Sequence, residues 1–116
     1  MIPGLIGVVI NSPDRIDLLA GFVGRWWRAG LPAHTEIFPA LNGSAGCLAS
    51  HLAVLESHPG PLLVLEDDAV RTAAFTWDVH PLPGWDVCWL GFHAYIARDP
   101  HALAASMRGL PTPRPN

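Results

Sequence analysis

A chain of 116 residues, half of them apolar, 15% charged and carrying a formal net charge of −3, is long enough for one packed domain and unsuited to a phosphate-backbone partner. Its 7 Lys and Arg residues are scattered rather than gathered into a stripe, so no nucleic-acid partner is expected. The longest apolar run, Leu5 to Ile10, is far too short to span a bilayer, and no cationic region with a small-residue cleavage site precedes it, so no membrane span and a cytoplasmic location are expected.

Ile6 to Ile10 is a β-branched run that reads as a buried strand. Behind it, Ser12 suits a helix cap and Pro13 the first helical position. Between Ile16 and Arg28 the apolar Leu19, Phe22, Val23 and Trp26 recur at helical steps, and Gly30 and Pro32 stop the helix. Thr35 to Phe38 reads as a short second strand, and Leu41-Asn42-Gly43-Ser44 as a turn capping a second helix that runs to about Ser57. His58-Pro59-Gly60-Pro61 breaks that helix, and the apolar run to Leu65 is the third strand. Pro81 to Gly84 is a loop, Asp86 to Leu90 a fourth strand, and Asp99-Pro100 caps a last helix to about Arg108. Cys47 and Cys88 lack paired-ligand spacing, so they are expected as buried free thiols and not as a zinc site or a disulfide framework. Alternating strands and helices predict a three-layer α/β domain with a mainly parallel sheet over residues 1–109, followed by a proline-rich tail over 110–116.

The third strand closes on Glu66, Asp67 and Asp68, and in open α/β sheets ligands bind beyond the carboxyl ends of the strands. Strand alternation puts Glu66 and Asp68 on one face and Asp67 on the other. Two hard oxygen donors there suit Mg²⁺ or Mn²⁺ with a diphosphate, and a solvated turn is the plain alternative.

Upstream of these acids stands Gly46-Cys47-Leu48-Ala49-Ser50-His51. With that pair of motifs the chain resembles glycosyltransferase family 25, the lipooligosaccharide-type sugar transferases related to procollagen galactosyltransferases, whose pattern is Gly-Cys-x-x-Ser-His, a helix, then an apolar strand ending in Glu-Asp-Asp. The likeness extends through Ile6 to Arg15, Ala40-Leu41-Asn42-Gly43, Trp85-Asp86-Val87-Cys88-Trp89-Leu90-Gly91 and Ala94-Tyr95-Ile96-Ala97, covering most of residues 5 to 107. It implies a minimal nucleotide-sugar-binding fold of the GT-A type. The implied activity is an inverting, metal-dependent transfer of a sugar from a nucleotide donor, of the uridine diphosphate type, to a glycan or protein acceptor, with Mn²⁺ or Mg²⁺ as cofactor. The alternative is a nucleotide-sugar-binding module without transfer activity.

Carried onto this sequence, the resemblance makes Asp68 the metal ligand and has Glu66 either ligating or holding the donor ribose. Asp67 contacts the donor or anchors the following loop. Ser50 and His51 would lie near the donor, although Ser50 equally suits back-bonding within its helix and His51 a hydrogen-bonded core position. Asn11 and Ser12 occupy the uridine-proximal turn, or serve the turn's conformation alone. Arg15 would meet the diphosphate or base, the alternative being an ion pair with Asp14 or Asp17. His93 reads as structural, with a place in a metal shell as its alternative; of the tryptophans that could stack on a sugar, Trp26, Trp27 and Trp89 at helical or strand spacing read as core, and Trp77 and Trp85 in loops are the better candidates.

One stretch departs from the family. Leu90-Gly91-Phe92-His93-Ala94-Tyr95 is nearly continuous where family members carry a longer segment, which would help build the acceptor site. An inverting transfer needs a general base, and of the later acids Asp78, Asp86 and Asp99 none is assignable, Asp99 being committed to a cap and Asp86 to a strand. A small domain with 5 tryptophans is also expected to bury an exposed patch against a second copy, giving a homo-oligomer.

Overall fold

The computed structural model describes residues 2–26, 30–42, 46–69, 83–91 and 94–109. In chain order they form β1 (Ile6–Asn11), α1 (Ile16–Trp26), β2 (Thr35–Pro39), α2 (Gly46–Glu56), β3 (Leu62–Glu66), β4 (Val87–Gly91), β5 (Ala94–Ala97) and α3 (Pro100–Met107). The five strands lie in one sheet in the order β2-β1-β3-β5-β4. β1 is parallel to β2 and to β3, whereas β5 runs antiparallel to both β3 and β4.

Strand alternation sorts the core into two layers. Val8, Ile10, Leu62, Val64, Tyr95 and Ala97 face α2 and α3, meeting Leu52, Val54, Leu55 and Ala104. Val9, Leu63, Leu65 and Ile96 face the opposite way, onto Phe22 and Trp26 of α1. Helices therefore cover both faces, and the central strands must be apolar on both sides. Leu62, Leu63, Val64 and Leu65 are all 0% exposed, each side chain worth about 1.5–3 kcal/mol of burial.

The three-layer α/β architecture agrees with the sequence reading; the mainly parallel sheet does not. Ala94 to Ala97 is a fifth strand inserted between β3 and β4, so one half of the sheet is parallel and the other antiparallel. At the start of α1, Pro13 and Asp14 form a turn closed by the Arg15 N–H donating to the Ser12 carbonyl at 2.9 Å, and the helix begins only at Ile16. Proline's fixed φ serves the second position of a turn as well as the first of a helix, which is why the sequence misleads there. The last helix starts as expected, with Asp99 accepting from the Ala102 N–H at 3.2 Å and Pro100 opening the first turn. Trp27, Trp77, Asp78, His93, the Gly43-Ser44 cap and the tail over 110–116 lie outside the described residues. Among the described residues no helix is long and apolar enough to cross a membrane.

Candidate functional site

From β1 the chain passes through α1 to β2 on one side, and then through α2 to β3 on the other side of β1. The carboxyl ends of β1 and β3 thus form a topological switch point, where the two crossovers diverge and leave a crevice. A cleft of about 210 Å³ opens there, with as much polar as apolar wall. β1 and its exit supply Ile10, Ser12 and Arg15, α2 supplies Cys47, Ser50 and His51, and β3 with its exit supplies Glu66, Asp67 and Asp68. Of the donor and metal candidates Asn11, Ser12, Arg15, Ser50, His51, Glu66, Asp67 and Asp68, all but Asn11 line it.

The Gly-Cys-x-x-Ser-His motif divides into two jobs. A Cβ at Gly46 would collide with the Leu41 carbonyl oxygen, so only glycine lets the start of α2 approach the exit of β2 this closely. The buried Ser50 hydroxyl donates to the Gly46 carbonyl at 2.6 Å and accepts from the Leu41 N–H at 2.8 Å, which fixes the helix to that exit. Cys47 and His51, one turn apart, share the face toward β3.

The three acids part company at the end of β3. Glu66 continues the face of Leu62 and Val64, and meets α2. Asp67 turns away: it is buried, its Oδ2 accepting from Asn11 Nδ2 at 3.0 Å and from the Ser12 N–H at 3.2 Å. Its own N–H donates to the Ile10 carbonyl at 3.1 Å and its carbonyl accepts from the Arg25 guanidinium at 3.2 Å. Asn11 and Asp67 therefore tie β1 to β3, and Asp67 forms part of the cleft floor. Asp68 stands exposed on the turn that follows. Arg15 is exposed at the rim, and among the described residues it forms no ion pair with Asp14 or Asp17.

His51 is held at both ring nitrogens, Nδ1 lying 2.7 Å from the Tyr95 hydroxyl and Nε2 3.1 Å from Glu66 Oε1. A carboxylate only accepts, so Nε2–H donates to Glu66; in the neutral imidazole Nδ1 is then the acceptor and the Tyr95 O–H donates to it. Burial, reinforced by the nearby Glu66 and Cys47, pushes the Tyr95 hydroxyl well above its ordinary range, so it keeps its proton.

Beyond His51 lies a second, almost wholly apolar cleft of about 570 Å³, whose walls include Leu48, Val87, Trp89, Leu103 and Met107. The two clefts share Cys47, His51 and Glu66. Cys47 is exposed, against the expectation of a buried thiol, because its helix face overlooks both openings. Trp89 is 69% exposed and tilted against the Tyr95 ring at 5.1 Å, against the expectation of a core position. It sits on β4, at the edge of the sheet. Trp85, expected as a stacking residue, instead packs against the core layer under α1. Of the later acids, the two among the described residues are engaged as well: Asp86 pairs with Arg98 at 3.1 Å, just before β4 and not within it, and Asp99 caps α3.

Mg²⁺ and Mn²⁺ are commonly held by one or two carboxylates together with substrate phosphate oxygens, without a closed protein cage. Glu66 and Asp68, both lining the polar cleft, fit that donor set. Among the described residues the one ready-made cluster of three ligand types is different: Cys47, His51 and Glu66, whose ligand atoms all lie within 4.8 Å of one another. No protein-family model, curated protein or solved structure matches this chain.

Proposed function

We propose that this chain is a metal-dependent glycosyltransferase domain of GT-A type that takes a sugar from a nucleotide donor, a uridine diphosphate sugar, for transfer to a glycan or protein acceptor. The observation that carries the reading is the polar cleft at the switch point, which gathers side chains from Ser12 to Asp68 beyond the carboxyl ends of parallel strands. At about 210 Å³ it is below the roughly 300–1,000 Å³ of whole small-molecule sites and suits the charged part of a donor. Arg15, exposed at the rim, binds the diphosphate. Glu66 and Asp68 would hold Mn²⁺ or Mg²⁺, which when bound neutralises charge on the leaving diphosphate. His51 orients Glu66 through its Nε2–H, and Tyr95 in turn orients His51.

A second reading, a nucleotide-sugar-binding module without transfer activity, is favoured by one observation: Asp86 and Asp99 are committed to an ion pair and a cap, leaving no free base among them. β4 and β5 pair as far as Gly91 with Ala94, with two residues between them, so the longer segment expected to help build an acceptor site has no counterpart in this stretch of sequence. Transfer then needs a partner, with a second copy of the chain as one source of that surface.

The first experiment is a thermal melt with uridine diphosphate, with and without Mn²⁺. Ligand bound only by the native state raises the melting temperature, by about ten degrees near 100-fold saturation. The shift is expected with Mn²⁺ or Mg²⁺, and is expected to vanish in EDTA and in Asp68→Asn. An equal shift in EDTA would overturn the metal dependence, and no shift under any condition would overturn donor binding. Sugar turnover by the wild-type protein separates the transferase from the binding module.

A further inference from the structure

The cluster at the wall between the two clefts has a donor set of its own. Cys47 and His51 are one turn apart on α2, and β3 ends with Glu66 opposite them. His51 Nε2 lies 3.1 Å and Cys47 Sγ 3.9 Å from Glu66 Oε1. A tetrahedral zinc ion with ordinary Zn–S, Zn–N and Zn–O distances would set those two separations at roughly 3.4 and 3.6 Å. Each of these two needs to change by only a few tenths of an ångström, and the third, between Cys47 Sγ and His51 Nε2, lies within 4.8 Å and would close to roughly 3.6 Å around the ion. Thiolate with imidazole favours zinc, whereas Mg²⁺ and Mn²⁺ favour all-oxygen shells. The Tyr95 hydroxyl, 2.7 Å from His51 Nδ1, is the outer partner that a ligating histidine requires to fix its ring. With three protein ligands at a wall shared by two clefts, the fourth position opens toward a ligand.

We propose that Cys47, His51 and Glu66 form a three-ligand zinc site, with its fourth coordination position open to the clefts. On binding, the Cys47 thiol loses its proton to solvent. The imidazole proton moves from Nε2 to Nδ1, so that Nε2 ligates and Nδ1–H donates to the Tyr95 oxygen, and Glu66 exchanges its N–H donor for the ion. One proton is released in all. The site stands independently of the nucleotide-sugar reading but shares Glu66 with it, so zinc and a Mn²⁺-bound donor compete.

The test is titration of the reduced, purified chain with Co²⁺, which reports a thiolate ligand through an intense sulfur-to-metal charge-transfer band. One equivalent is expected to produce that band together with the visible bands of four-coordinate cobalt. Zn²⁺ is expected to bleach both, and Mn²⁺ and Mg²⁺ to leave them. The band is expected to persist in Cys88→Ser, to disappear in Cys47→Ser, and to require at least tenfold more Co²⁺ in His51→Gln and Glu66→Gln. Cys47 is exposed, so Cys47→Ser leaves the packing intact and carries the test even where His51→Gln fails to fold. Absence of the band in the wild type, its survival in Cys47→Ser or its loss in Cys88→Ser would overturn the proposal, as would unchanged affinity in a folded Glu66→Gln. Asp68→Asn is expected to keep the cobalt band while losing the uridine diphosphate shift, so the two readings fail separately.

Discussion

Ser50 is 1% exposed, and its hydroxyl both donates and accepts inside the fold. Ser50→Ala leaves the Leu41 N–H without that partner, and an unmet donor costs more than the average hydrogen bond returns. A loss of about 1–2 kcal/mol is expected in a denaturant titration. A change below the error of that titration would show that water replaces the hydroxyl. Asp67 makes the same point with a charge. Strand alternation foretells that it faces away from Glu66, yet its partner Asn11 lies 56 positions earlier, beyond any local pattern. The Cys47–His51 pair is legible as a helical i, i+4 spacing, but the third member comes from another element and only the packing of α2 on β3 brings it in.

At the scale of elements, edge strand β2 is pinned to the end of α2 by Glu36, which lies 2.7 Å from His58 Nε2 and 3.2 Å from His34 Nε2. Hydrogen bonding from His58, then from His34, holds the Glu36 carboxyl below its ordinary 4.5. A depressed carboxylate stabilises the fold above its unfolded value, and that contribution is lost as pH falls through the folded value. Because Glu36 is nearly half exposed, solvent screening limits the contribution to under about 1 kcal/mol. Glu36→Gln is therefore expected to be slightly less stable than wild type at pH 6, with the difference closing below about pH 4.5 in parallel melts. A gap that widens on acidification would contradict this sign. Most elements of the fold are legible from apolar period and from Pro and Gly punctuation, as with β1, β3 and α3. β5 is not, because Ala94-Tyr95-Ile96-Ala97 is four residues long, is buried throughout and so shows no alternation. Its place beside β3 is a long-range pairing that no window of sequence contains.

Across the whole molecule, the described residues of the polar cleft all precede Ala69, while β4, β5 and α3 contribute Tyr95 and most of the apolar wall. Trp89 is the part of that wall least predictable from sequence, since an apolar side chain reads as core until its strand is known to lie at the sheet edge. The apolar cleft is thus open on this side, whereas the polar cleft is tied down by the Asp67 network.

The insertion of β5 between β3 and β4 also bears on how the chain is made. A ribosome releases β1, α1, β2, α2 and β3 first, and these can already assemble a parallel three-stranded unit with β3 at its margin. Until Ala94 to Ala97 emerge, β3, with Leu62 to Leu65 an unbroken apolar run, offers an unpaired edge to other nascent chains. A fragment ending at Ala69 is accordingly expected to form large assemblies in light scattering at concentrations where the full chain does not, and a fragment no larger than the full-length species would contradict this. For this fold, the interval between synthesis of β3 and arrival of β5 is a window of aggregation risk set by strand order alone.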